Sequence, residues 1–348
     1  MALPVNFSGF RNLLTKRMGR MFEKEIGAVE SIIPQDRAPR WIYARFRELK
    51  PPIIVIGMHR SGTSLVSAIL ALMGVYMGRI GNSQEEDKLI VCHTHHNSLI
   101  IYASQRSTAF APTPTTVRDG YAEDESFRLV NQRIFTRAGA DWDYVDPLLA
   151  VRDEPQFTRS AVRTLQGATF GTLRSQYLSG MPKNYQGAWG WKDPRNTFTL
   201  RYWLQLFPDA KVLHVRRSPD AVVRSLMRRA ESWAAQTPPF KLPLHRRVLG
   251  AISHPRLAFE RFALRKMSHQ KPHPKTEEDW RHLYDLYVSE GEKYRAMGDQ
   301  YSEVSYEALL ENPQEIITAI ANFIEVEINE VILKQAREFI LPAETKRW

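Results

Sequence analysis

Short runs of β-branched apolar residues, each closed by a charged or glycine-bearing turn, recur along this chain after residue 50. The first is Ile53-Ile54-Val55-Ile56, entered through Pro51-Pro52. A continuous apolar run without polar alternation suits a strand covered on both faces, as in a parallel sheet. Gly57 to Ser64 is polar and carries two glycines. Leu65–Leu72 then takes up helical spacing and stops before Gly74. The same sequence of events returns twice. Ala188–Trp191 runs into Lys192-Asp193-Pro194-Arg195 and a helix over Phe198–Leu206. Lys211–Val215 runs into Arg216-Arg217-Ser218-Pro219-Asp220 and a helix over Ala221–Arg229, with Pro219 near its start. Residues 277–297 read as helix, Tyr301–Ser305 as a last strand, and Tyr306–Leu310 and Pro313–Ile324 as helices. Residues 123–180 carry mixed helical signals, and Ala111–Thr116 reads as an exposed loop. Strand, polar loop and helix in repeated succession predict an α/β protein: a P-loop-like three-layer sandwich around a mostly parallel central sheet.

The first 50 residues follow a different pattern. Phe10, Leu13, Leu14, Met18, Met21 and Phe22 recur at helical spacing with basic residues between them. This predicts an amphipathic helix, packed on the core, on a second subunit or on a membrane surface. The expected organisation is an N-terminal helical extension over 1–50 and one domain over 51–348. A basic, proline-rich insertion at 237–275 would interrupt that domain.

Charge sharpens this picture. The net charge of +10 is concentrated in two places. The 237–275 stretch holds nine lysines and arginines against the single acid Glu260, and residues 1–50 hold ten against five. The remainder is slightly acidic, so the chain does not read as a uniformly basic nucleic-acid binder. In 237–275, apolar residues such as Leu249, Ile252, Phe259 and Phe262 alternate with the cations, a pattern suited to an anionic lipid surface, an acidic glycan or a closing lid. The single cysteine, Cys92, excludes a disulfide framework. No run reaches the roughly 18–20 apolar residues of a membrane span, and the N-terminus lacks a signal-peptide pattern. The expected location is cytoplasmic, with peripheral membrane contact as an option.

The candidate chemistry lies at the ends of the predicted strands. Gly57-Met58-His59-Arg60-Ser61-Gly62-Thr63-Ser64 has the glycine spacing of a phosphate-binding loop, whose amides cradle an anion at a helix start. A nucleotide-triphosphatase loop places lysine directly after its second glycine. Here that position is Thr63, and the cation sits earlier, at Arg60. With its following leucine, this loop resembles the 5′-phosphosulfate loop of the sulfotransferases that use 3′-phosphoadenosine 5′-phosphosulfate (PAPS). The arginine version is similar to the bacterial and tyrosylprotein enzymes. Lys211 to Ser225 resembles that family's 3′-phosphate segment, a strand followed by Arg-x-Pro and a serine eight residues after the arginine; Arg217 and Ser225 fit it. Val304 to Pro313 resembles the family's Tyr-Glu-x-Leu segment, which would set Tyr306 beside the adenine. The three matches occur in family order.

The resemblance implies transfer of a sulfuryl group from PAPS to a hydroxyl acceptor, releasing PAP. Arg60, Ser61, Gly62, Thr63, Ser64, Arg217, Ser225 and Tyr306 would hold the donor. Such transfer needs an in-line nucleophile, a base for its proton and fixed positive charge at the breaking bond. Arg60 supplies one fixed charge. Lys192 supplies another if its motif matches the Lys-Asp-Pro of the tyrosylprotein enzymes; otherwise it is a surface cation paired with Asp193. Gln84-Glu85-Glu86-Asp87-Lys88 resembles the stretch that carries the base in those enzymes, which points to Glu86. Its spacing from Arg60 is several residues longer than in that family, and Glu85, His59 and the cluster of His93, His95 and His96 stay open as alternatives. His93, His95 and His96 lack partners at metal-ligand spacing, so no metal is expected. A carbohydrate or glycolipid acceptor is implied by the bacterial relatives with this arginine loop, and a small-molecule or peptidyl-tyrosine acceptor stays open. The competing readings are a P-loop kinase-like phosphotransferase, which the missing lysine disfavours, and a non-catalytic polyanion- or membrane-binding module.

Overall fold

In the computed structural model the described residues are Phe46, 49–78, 91–92, 99–100, 123–171, 173, 177–182, 185–236 and 273–340. The predicted helix around residues 10–22, Glu85, Glu86, the histidines at 93–96, the loop at 111–116 and all but the last three residues of 237–275 lie outside them. In chain order the described elements are β1 (Ile53–Gly57), α1 (Thr63–Leu72), β2 (Val91–Cys92), β3 (Leu99–Ile100), α2 (Glu125–Ala138), α3 (Asp146–Val151), α4 (Pro155–Phe170), β4 (Gly190–Lys192), α5 (Asn196–Leu206), β5 (Lys211–Arg216), α6 (Pro219–Gln236), α7 (Glu277–Glu292), β6 (Tyr301–Ser305), α8 (Tyr306–Glu311), α9 (Pro313–Phe323) and α10 (Glu330–Ile340).

The main sheet has the order β4-β1-β5-β6, and every neighbouring pair is parallel. β1 is buried along its whole length, as its uninterrupted apolar run requires. Its side chains alternate between two covered faces. On one face Ile53 and Val55 join Leu213, Val215 and Val304 in a core completed by α1, α9 and α10. On the other, α5 and α7 lie against β1. Gly291 of α7 fits there because a Cβ would come within 2.4 Å of the His214 ring. Helices therefore cover both faces, which makes three layers. β2 and β3 form a separate antiparallel pair.

Most predicted elements appear, with shifted ends. α6 runs on to Gln236, and the helix expected over 277–297 stops at Glu292, where a 3₁₀ stretch begins. The mixed signals of 123–180 become α2, α3 and α4. Asp124 caps α2 by accepting from the Ser126 and Phe127 amides. The ring of Phe127 stacks on Trp191 at 4.1 Å, tying α2 to β4. α10 was not anticipated, although its buried Leu333, Ala336 and Ile340 keep helical spacing.

One buried group on this sheet has a consequence for pH. His214 is 1% exposed. Its Nδ1 is 2.7 Å from the Tyr301 hydroxyl, which donates to Glu303. The phenol has one proton, so His214 Nδ1–H is the donor in the first bond. Burial pushes the His214 pKa down to about 4; Glu303 opposes this, and Arg216 and Arg295 add to it. Unfolding restores the ordinary 6.5, so between those values the unfolded chain binds more protons. Stability from this group is complete above pH 6.5 and is lost as pH falls toward 4. The expected slope is up to about 1.4 kcal/mol per pH unit. Urea unfolding from pH 7 to pH 5 should show it, with a shallower slope in His214→Gln. Equal slopes in the two proteins would show that this histidine is not the cause.

Candidate active site

Parallel pairing brings the ends of the strands together. The register sets Val55 against Lys192, Gly57 against Val215, and Arg216 against Ser305. Whatever follows these residues emerges at the carboxyl edge of the sheet, where open α/β sheets bind ligands. The loop after β1, the Lys192 turn, the Arg217 turn and the start of α8 are thereby made neighbours.

The loop after β1 is shaped by backbone conformation. Arg60 and Gly62 both have positive φ, at 70° and 95°, on either side of Ser61. Such alternation turns successive amides toward one point and forms an anion-binding concavity. Ser61 fixes the turn by donating from Oγ and from its amide to the Met58 carbonyl, at 2.7 and 3.2 Å. Gly62 is the N-cap of α1, and no side chain caps that helix. The first-turn amides of α1 are therefore available to an anion.

Three sequence-distant candidates meet this loop. Arg60 Nε donates to Ser225 Oγ at 3.0 Å. Arg217 donates from Nη1 to the Arg60 carbonyl at 3.1 Å and lies 4.3 Å from the centroid of the Tyr306 ring. Tyr306 in turn closes on Gly62, where a Cβ would stand 2.3 Å from the ring. Only glycine meets both the positive φ and that approach. Arg60, Gly62, Arg217, Ser225 and Tyr306 thus form one interlocked group.

Lys192 stands on the other side of the loop. It is 1% exposed, and its Nζ donates to Ser64 Oγ at 3.2 Å and to Glu123 Oε1 at 2.5 Å. It is neither a surface cation nor paired with Asp193. Asp193 is fully buried and binds the Arg195 guanidinium and amide and the Asn131 side-chain amide. Glu123 was not singled out from the sequence. It has no motif around it, only its place before the N-cap Asp124.

A cleft opens over the loop, lined by His59, Arg60, Gly62, Thr63, Ser64, Glu123, Pro194, Arg217, Arg229 and Tyr306, among others. It holds three guanidinium groups, and Glu123 is the carboxylate on its wall. Burial pushes the His59 pKa well below the usual histidine value, and Arg195, Arg229, Lys192 and Arg60 push it the same way. The imidazole is neutral. Its ring lies 4.4 Å from that of Trp142, and its Nε2 is buried without a hydrogen-bond partner among the described residues.

Residues 51–241 match the family model described as the sulfotransferase family. The chain belongs to the sulfotransferase family. The match ends before β6 and α8, so Tyr306 lies beyond the matched stretch. No curated protein matches this sulfotransferase in sequence. Among solved structures it is similar to a sulfotransferase of Mycobacterium tuberculosis, at 15% identity and a TM-score of 0.43, covering 86% of this chain and 75% of that one. A Mycobacterium avium sulfotransferase gives 12% and 0.44, covering 88% and 74%. One from Alicyclobacillus acidocaldarius gives 14% and 0.37, covering 84% and 92%. Among the described residues of the sulfotransferase, no helix is long and apolar enough to cross a membrane.

Proposed function

We propose that PAPS is the sulfuryl donor, and that the acceptor is a hydroxyl group on a carbohydrate or glycolipid. The observation that carries the donor reading is the interlocked group of Arg60, Gly62, Arg217, Ser225 and Tyr306 at the sheet edge. Its chemistry fits a phosphorylated nucleotide. Arg217 spends one N–H on the Arg60 carbonyl, and its Nε–H is buried without a partner among the described residues. A buried donor left unused on a guanidinium is costly unless an anion completes it. Arg217 and Ser225 would share the 3′-phosphate, and the Tyr306 ring would flank the base. Arg60 and the amides of the loop and of α1 would hold the 5′ end. PAPS supplies a sulfuryl group on a good leaving phosphate. This chain's part is to hold that group still, neutralise its leaving oxygen through Lys192, and exclude water. The acceptor class rests on the resemblance to enzymes with the arginine loop and on the basic charge of the chain.

Calorimetry with PAP tests the donor reading. Loss of a charge-assisted bond costs roughly 1.5–3 kcal/mol, so Arg217→Ala should bind PAP about ten- to a hundred-fold more weakly. Unchanged affinity would remove this group from the donor site. ATP serves as the competitor: tighter binding of ATP than of PAP would favour a phosphotransferase.

A further inference from the structure

We infer that Glu123 is the catalytic base of this sulfotransferase, receiving the acceptor hydroxyl proton on Oε2 while Oε1 holds Lys192. The assignment rests on the donor reading above.

Four observations carry it. First, Glu123 lines the same cleft as the loop and Arg217. Secondly, its side chain is 13% exposed, which leaves it open to a ligand but largely shielded from bulk water. Thirdly, its two oxygens are differently engaged: Oε1 accepts from Lys192 Nζ at 2.5 Å, and Oε2 has no hydrogen-bond partner among the described residues. Fourthly, the lysine it holds also reaches Ser64, at the end of the anion loop, at 3.2 Å. One ammonium therefore connects the place of the transferring group to the place of the proton acceptor. A carboxylate one hydrogen bond away from that ammonium can accept a proton from a hydroxyl approaching the same point.

The alternatives fit less well. His59 also lines the cleft, but its Nε2 is buried, and among the described residues it makes no hydrogen bond to the ammonium that meets the anion loop, as Glu123 does. Asp193 is fully buried and already bound by Arg195 and Asn131. The position of Glu123 is fixed from its neighbour. Asp124 is 3% exposed, caps α2 and packs against Gly78, where a Cβ would stand 2.5 Å from its Oδ2. Gly78 thus leaves room for the anchor that holds Glu123 over the cleft.

The step balances as follows. The acceptor oxygen forms the new bond to sulfur. The bond from sulfur to the bridging phosphate oxygen breaks, and its electron pair leaves on PAP beside Lys192. The acceptor proton ends on Glu123 Oε2, from which it is later lost to solvent. Lys192 must turn from Glu123 toward the leaving oxygen as charge develops there. Donor occupancy and readiness of the base are thereby coupled through one side chain.

The test uses the full chain with PAPS, and with p-nitrophenol and octyl glucoside as acceptor probes. Glu123→Gln keeps an oxygen for Lys192 but cannot take the proton. It should keep its PAP affinity within about twofold and lose about 10²–10⁴-fold in kcat. Glu123→Asp, which retains a proton acceptor, should recover part of the lost rate; a purely structural role would leave both variants equally poor. Near-normal kcat in Glu123→Gln, or loss of turnover in Glu86→Gln instead, would overturn the assignment while leaving the donor reading intact. Failure of the unmodified chain to bind PAP would overturn the donor reading and this assignment with it.

Discussion

Lys192→Met should lower kcat by about 10²–10³-fold, the usual cost of removing one preorganised donor from a developing negative charge. PAP affinity should fall as well, because PAP keeps the leaving oxygen that Lys192 is placed to neutralise. The physical basis is burial. The ammonium is 1% exposed and held by Ser64 and Glu123 beside the anion loop, so it has only to exchange one partner to act. In such a site a fixed charge acts more strongly than it would in water. The substitution should also lower stability, because it leaves the Glu123 carboxylate beside a thioether. Pairing it with Glu123→Gln removes that orphaned charge. The double variant should therefore regain much of the thermal stability and none of the turnover. A single variant with kcat within a few-fold of the parent would show that Lys192 is a structural cation.

Gly190→Ala should be among the most damaging small substitutions in the chain. A Cβ at this position would stand 2.0 Å from the Ile53 carbonyl oxygen and 2.8 Å from its carbon. The obstacle is backbone of the most buried strand, with no flexible tip to swing aside. Retreat of β4 is also opposed. The Gly190 amide donates to the Tyr76 carbonyl at 2.9 Å, and the Ile53 amide donates to that of Trp189 at 2.8 Å. Trp189 and Trp191 on either side are fully buried in an aromatic cluster. Overpacking of this kind costs about 1–3 kcal/mol or more. At roughly 2–4 °C per kcal/mol for a large domain, the melting temperature should fall by several degrees. Turnover should fall further than stability alone explains, because Lys192 lies two residues along the displaced strand. A scanning calorimetry trace that matches the parent would show that the strand yields without cost.

The two substitutions illustrate different kinds of legibility. Gly190 reads from sequence as one more small residue in a Trp-Gly-Trp run, and nothing local announces what faces it. The strand itself was plain. So were β1 and β5, because an apolar run bounded by turn residues depends only on residues a few positions apart. The candidate arginines and Lys192 were legible from their places: Lys192 ends β4, Arg217 follows β5 and Arg60 lies in the loop after β1, and strand ends are where such sheets bind ligands. Glycine spacing marked the anion loop, and the positive φ at Gly62 confirms why that residue type stands there.

Other features needed the fold. Arg60 reaches Ser225 across 165 positions, and Lys192 reaches Glu123 across 69. The sequence by itself determined the strands of the main sheet, most of the helices that follow them, and the residue types at the strand ends. Those properties are encoded in local periodicity and in motifs a dozen residues long. Only the tertiary structure decided that Lys192 pairs with Glu123 and not with Asp193, that His59 Nε2 is buried, and that Tyr306 closes on Gly62. Those outcomes depend on the parallel register and on how helices pack across the sheet. Free energies of that kind come from burial and shape complementarity between distant segments, and no single segment carries them.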